Sequence, residues 1–157
     1  MQLNDEDVRQ LVESIWATTV DMVMEACPVP EVDRERDQMS GTIHITGGWN
    51  GAIRVDCTER LAREACSRMF EQTPEETSEE EVCDTLSELT NMTGGNIKAI
   101  LAELSEGDCR LSLPSVTAGR AFKVKHPGAE QILQLGFTCA GEPLTVTVVQ
   151  EPATGRK

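Results

Sequence analysis

At 157 residues the chain has the length of one domain built around one core. Its apolar fraction of 39% beside 26% charged residues excludes a disordered chain, and its net charge of −13, from 14 basic against 27 acidic residues, excludes a binder that must neutralise phosphates, so no nucleic acid is expected. No apolar run approaches the length that crosses a bilayer, and no membrane partner is expected either.

The N-terminus, "MQLNDEDVRQLVESIW", is acidic and amphipathic, unlike a signal or transit peptide. Residues 5–26 place Val8, Leu11, Val12, Ile15, Thr19, Met22, Val23 and Ala26 at helical spacing, and Cys27-Pro28-Val29-Pro30 stops the pattern, which predicts a first helix. "MSGTIHITGGWNGAIRVDC" alternates, turns over Gly47–Gly51 and resumes alternation, the signature of a β-hairpin with Trp49 at its tip. Thr58 to Phe70 reads as a second helix capped by Thr58. A polar connector containing Pro74 follows, inside a run from Glu71 to Glu88 that holds eight carboxylates and no base; a run of this kind reads first as a solvated segment.

Ser78-Glu79-Glu80-Glu81 has capping-box spacing and starts a long third helix, expected to reach about Ser105 and to end at Gly107. Beyond it "CRLSLPSVTAG", "AFKVK", "AEQILQLGFTCA" and "EPLTVTVVQ" read as strands, the last two joined near Gly141. The expected fold class is α+β: a single domain over 1–150, a mostly antiparallel sheet flanked by helices, with a flexible tail over 151–157. Alternation in "LTVTVV" is expected to leave apolar and backbone surface that a second copy could cover, giving a homodimer joined at a sheet edge or face.

On a helical wheel Val82, Leu86, Leu89, Thr93, Ile97, Ile100 and Leu104 form one stripe, expected to face the core. Asp84, Glu88, Asn91, Gly95 and Ala102 fall on roughly the opposite side, with Glu88 and Asn91 outward neighbours three residues apart. Two adjacent glycines inside a helix need a reason, since each costs about 1 kcal/mol relative to alanine. Gly94 points to the flank and is read as room for another segment of this chain; Gly95, beside Asn91, admits either a partner's approach or internal packing.

Other chemistry finds less support. Six cysteines, at 27, 57, 66, 83, 109 and 139, lack a paired-ligand or framework spacing, so reduced thiols in a cytoplasm are expected, with no metal site and no cofactor of the chain's own. Cys57 and Arg63 have the C-x5-R spacing of cysteine phosphatases without a glycine-rich phosphate cradle. His44 on a strand and His126 before a proline have no reactive neighbour in sequence, and Asn96 is expected to hydrogen-bond within the fold.

Read outward, the third helix carries Asp84-x3-Glu88-x2-Asn91-x22-Pro114, within "ELTNMTGGNIKAIL" and followed by "LSLPSV". This spacing resembles the signature of the CheC, CheX and FliY family of chemotaxis phosphatases, and the surrounding segments look like the CheX branch. A single Glu-x-x-Asn departs from the two-site arrangement of CheC, and the length leaves no room for the extra domain of FliY. What the resemblance implies is a CheC/CheX-like fold and hydrolysis of the aspartyl phosphate on a phosphorylated CheY-like receiver domain. Glu88 would pair with a receiver lysine and Asn91 would hold the attacking water, with Asp84 and Gly95 at the partner surface and Mg²⁺ on the receiver. Resemblance to the CheX branch also implies pairing as dimers through the sheets. An alternative from a different class is a non-catalytic receiver-binding adaptor that keeps the docking helix.

Overall fold

In the computed structural model, which describes residues 2–152, the first helix, α1 (Asp5–Val20), begins where the Asn4 side chain accepts the Asp7 N–H at 3.0 Å. It ends short of the predicted Ala26. Asp21 turns the chain in the left-handed region (φ 54), a conformation that aspartate tolerates, and Met24–Cys27 becomes strand β1. Met22 and Met24 are buried while Val23 is 75% exposed, so the period there is two.

Strands β2 (Gln38–Gly47) and β3 (Gly51–Thr58) form the predicted hairpin, with Asn50 bonded through both ends of its amide to Gly47. Trp49 does not project from the tip; it folds back and is buried in the core. Helix α2 (Glu59–Met69) is capped as expected by Thr58, whose hydroxyl accepts the Leu61 N–H and donates to the buried Glu142 carboxylate at 2.7 Å. Arg36 donates to the same carboxylate oxygen at 2.7 Å, so that charge is paired. One 3-10 turn (Pro74–Glu76) leads to helix α3 (Glu79–Ser105).

Strands β4 (Cys109–Leu111), β5 (Ser115–Gly119), β6 (Glu130–Cys139) and β7 (Glu142–Gln150) complete an antiparallel sheet of order β1-β6-β7-β3-β2-β4, with β5 also on β2. Ala140 and Gly141, both at positive φ, form the two-residue β6–β7 turn. "AFKVK" has no ladder partner. It runs as an extended loop in which Phe122 and Val124 are half-buried and Lys123 and Lys125 exposed, which reproduces strand alternation without a strand. β7 lies between β3 and β6 and offers no free edge, so that strand cannot join a second copy edge to edge. The tail expected from residue 151 falls, from residue 153 on, outside the described residues.

Alternation divides the sheet. Ile43, Ile45, Ile53, Val55, Leu135, Phe137, Leu144, Val146 and Val148 join the three helices in one core. The other face carries Ser40, Thr42, Arg54, Asp56, Gln134, Thr145 and Thr147, which share ladder positions across the strands.

Helix α3 approaches β2 through two glycines. A Cβ at Gly41 would overlap the Thr90 hydroxyl, and a Cβ at Gly94 would stand 2.6 Å from Ile43 Cγ2. At Gly95 the nearest atom would be Leu111 Cδ1, at an ordinary 3.7 Å. Gly94→Ala is therefore expected to destabilise the fold by about 1–3 kcal/mol of overpacking, less about 1 kcal/mol of recovered helix propensity, whereas Gly95→Ala should leave it unchanged or stabilise it by up to about 1 kcal/mol. Urea denaturation of the two variants checks this; equal midpoints would contradict the packing assigned to Gly94.

Candidate functional site

The sequence at the start of α3 fixes where the helix begins. Ser78 Oγ accepts the Glu81 N–H at 3.1 Å and Glu81 accepts the Ser78 N–H at 3.0 Å, completing the capping box, and Glu79, Glu80 and Glu81 place negative charge at the positive end of the helix. Arg63 of α2 donates to Thr77 C=O at 3.0 Å and Thr77 Oγ1 at 2.8 Å while paired with Glu59, tying α2 to the residue before the cap. At the other end the left-handed residue is Glu106 (φ 55), not Gly107. Gly107 serves a close approach instead: its Cα would lie 2.9 Å from a Cβ at Gly48.

The buried band of α3 is Val82, Thr85, Leu86, Leu89, Thr90, Thr93, Gly94, Ile97 and Leu101. Ile100 and Leu104, expected in the stripe, are only half-buried, and Leu101 is buried in their stead. The band shifts because β4 flanks the helix on the side of Gly94, where Leu111 covers it. The three buried threonines are satisfied within the helix, each hydroxyl donating to the carbonyl four residues back at 2.7–2.9 Å.

On the opposite side Asp84, Glu88 and Asn91 are exposed and Gly95 is half-buried, as the wheel predicts. Among the described residues none of the three side chains makes a hydrogen bond or ion pair, whereas Asn96, one turn on, donates to Met92 C=O at 2.8 Å. Two carboxylates and one carboxamide therefore point into solvent from a rigid helix with their bonding capacity unused. Gly95, with Leu111 Cδ1 3.7 Å from its Cβ position, adds no side chain of its own beside Asn91. Such a face can pair with a cation and can hold a small polar molecule in a fixed plane.

Comparison with known proteins bears on this face. The family described as chemotaxis phosphatase CheX matches residues 39–138, more than half of the chain and the whole of α3. None of the curated proteins matches the chain significantly. Among solved structures, the chain is similar to the chemotaxis protein CheX from Vibrio vulnificus, at 24% identity over 93% of this chain and 95% of that one, with a TM-score of 0.77. It is similar also to CheX from Desulfovibrio desulfuricans, at 22% identity over 93% and 97%, with a TM-score of 0.75. A third similar chain belongs to the CheX–CheY–BeF3–Mg²⁺ complex from Borrelia burgdorferi, at 20% identity over 93% and 96%, with a TM-score of 0.73. These likenesses establish the fold.

Away from α3 the other reactive side chains have structural explanations. Burial, with Asp56 nearby, pushes the Cys57 thiol far up, and Arg63 is occupied by Glu59 and Thr77, so the C-x5-R pair forms no nucleophile and cradle. Among the described residues no three His, Cys, Asp or Glu side chains come together to hold a metal ion. His44 and His126, remote in sequence, line one cleft of about 140 Å³ with Glu151. Burial, and then the neighbouring Arg54 and His44, lower the His126 pKa below 6.5, and its Nε2 has no hydrogen-bond partner. Because the folded value is depressed, the unfolded chain takes up this proton first as the pH falls below about 6.5, so the contribution of neutral His126 to stability is present above that pH and is lost on acidification. His126 is expected to titrate by NMR with a midpoint below 6.5, and His126→Gln to lose stability less steeply than the parent below that pH; a midpoint at or above 6.5 contradicts this.

Proposed function

The chain belongs to the CheX family of chemotaxis phosphatases, and from that premise we propose that it hydrolyses the aspartyl phosphate of a CheY-like receiver domain, with α3 as the docking element. The observation that carries the reading is the pair Glu88 and Asn91, exposed and unbonded on the outward face of α3. The CheX–CheY complex of the Borrelia relative supports the choice of partner.

In this reaction water attacks phosphorus as the bond to the aspartyl oxygen breaks; the carboxylate leaves with the bonding pair, and the proton of the water passes to phosphate or solvent. An acyl phosphate is already reactive, so catalysis consists mainly of positioning and charge neutralisation. The receiver supplies Mg²⁺ and a lysine that neutralise the phosphoryl oxygens. This chain supplies the geometry. Asn91 enters the receiver site, accepts a hydrogen bond from the water through its carbonyl and donates through its NH2 to a receiver acceptor, which fixes the line of attack without proton transfer. Glu88 pairs with a receiver lysine, and Asp84 adds charge of the same sign one turn earlier. Six free cysteines fit a reducing compartment, which supports placing the protein in the cytoplasm.

Self-association is proposed at the opposite end of the sheet. Val23 and Val29, two exposed large hydrophobic residues, stand on either side of the edge strand β1, whereas the exposed Val32 lines a cleft with Gln38, Met39 and Phe122 farther across the sheet. A homodimer that covers Val23 and Val29 should appear by light scattering at micromolar concentration and be weakened by Val23→Asp. A monomeric parent overturns this.

Asn91→Ala should reduce turnover by about 10²-fold with receiver binding nearly intact, the typical loss for one positioned polar group. Glu88→Ala should raise KM, and Glu88→Lys should nearly abolish binding by placing like charges together. Since neither side chain bonds within the fold, the unfolding free energy should move by no more than about 0.5 kcal/mol. Phosphate loss from an acetyl-phosphate-labelled CheY receiver measures these effects, and removal of Mg²⁺ should stop it. If Asn91→Ala turns over as fast as the parent, the catalytic assignment fails; a parent that binds without accelerating phosphate loss is an adaptor.

A further inference from the structure

Leu113 is 91% exposed, more than any other large hydrophobic residue among those described. Its position follows from the register of the sheet edge. Leu111 pairs with Ile45 and Ser115 with Thr42, so residues 112–114 lie opposite only two residues of β2, Ile43 and His44. One residue is in excess and the edge bulges.

The bulge is held in place. The Ser112 N–H donates to His44 C=O at 2.9 Å, and Ser112 Oγ accepts the His44 N–H at 2.9 Å while donating to Leu113 C=O at 3.0 Å. Pro114 brings no N–H and confines the residue before it to extended backbone. A single exposed leucine ordinarily needs no explanation. One fixed at a hydrogen-bonded kink is different, because a fixed side chain loses little further freedom when a partner covers it.

The kink also borders the face that carries Glu88 and Asn91. Leu111, two residues before Leu113, lies with Cδ1 3.7 Å from the Cβ position of Gly95 and Cδ2 3.5 Å from that of Gly94. We propose that Leu113 is a second anchor for the receiver: an apolar knob that seats in an apolar depression beside the phosphorylated site while Glu88 and Asn91 engage the lysine and the phosphoryl group. The inference rests on the reading of α3 as the receiver-docking helix. A second copy of this chain fits the kink poorly, because pairing along an edge needs a regular run of donors, and the bulge and Pro114 interrupt that run. The exposed Val23 and Val29 stand on either side of β1, at the far end of the sheet.

The test uses the full chain and a CheY receiver phosphorylated in situ with acetyl phosphate and Mg²⁺, with phosphate release followed across receiver concentrations. Leu113→Ala should raise KM about tenfold with kcat unchanged, the loss expected of one buried aliphatic contact. Leu113→Asp should weaken binding further, and Leu113→Met should stay near the parent. Circular dichroism and light scattering should match the parent throughout, since the side chain is almost wholly in solvent. If the parent turns over and both Leu113→Ala and Leu113→Asp keep its KM, the anchor is overturned and the proposed function stands. A parent that neither binds nor dephosphorylates the receiver removes the docking helix and the anchor together. An effect on kcat alone, or on oligomeric state without a change in KM, overturns the anchor as well.

Discussion

Helix α3 can lie close on β2 because two glycines remove the side chains that would hold helix and strand apart. Gly41 on the strand leaves room for Thr90, and Gly94 on the helix leaves room for Ile43. The two gaps are in step: four helical residues advance about 6.0 Å and two strand residues about 6.7 Å. The helix is thereby seated at two points one turn apart, which fixes its rotation as well as its height above the sheet. Helices α1 and α2 on one flank and β4 on the other then close around an element already oriented.

From that seating follows a division of α3 into two faces with opposite rules. Inward, every group is matched: apolar residues meet the core, and the buried threonine hydroxyls return to the helix's own carbonyls, so none waits for a partner. Outward, Asp84, Glu88 and Asn91 are left unmatched, which water tolerates and a docking partner can use. The acidic run that leads into the helix strengthens this asymmetry, since a concentration of one charge sign attracts a cationic partner before contact is made.

Most of this was legible in the sequence where local rules and the global fold agree. The caps at Thr58 and Ser78, the hairpin with Asn50 in its turn, and the outward set on α3 are all matters of spacing within a few residues. The failures are places where distant chain decides. Met22, Val23 and Ala26 satisfy either a helical or a strand period, and the choice is made by β6, which takes residues 24–27 as a ladder partner. "AFKVK" alternates like a strand but finds no edge to pair with. Gly107 resembles a helix stop, yet its lack of a side chain answers the approach of Gly48, and Glu106 takes the left-handed position. Leu113 lies in a short "LSL" alternation that predicts nothing unusual; its exposure comes from a mismatch in residue count with β2, which only the register reveals.

The spacing from Asn91 to Pro114 has a geometric meaning of its own. Helix α3 runs in the same direction as β2, since Thr90 meets Gly41, Gly94 meets Ile43, and Ser105 reaches Gly48. Fourteen residues from Asn91 to Ser105 carry the chain about 21 Å along the strand. After the turn at 106–108 the edge returns antiparallel to β2, and the five steps from Cys109 to Pro114 recover about 17 Å. The kink thus comes back nearly to the level of Asn91. Adjacent residues of one strand hold both parts: Ile43 fills the gap at Gly94, and His44 binds Ser112 through its main chain. A helix face and an edge kink more than twenty residues apart in sequence are set by a single pair of neighbours on β2, so a partner that touches both meets a surface already assembled, with little ordering left to oppose binding.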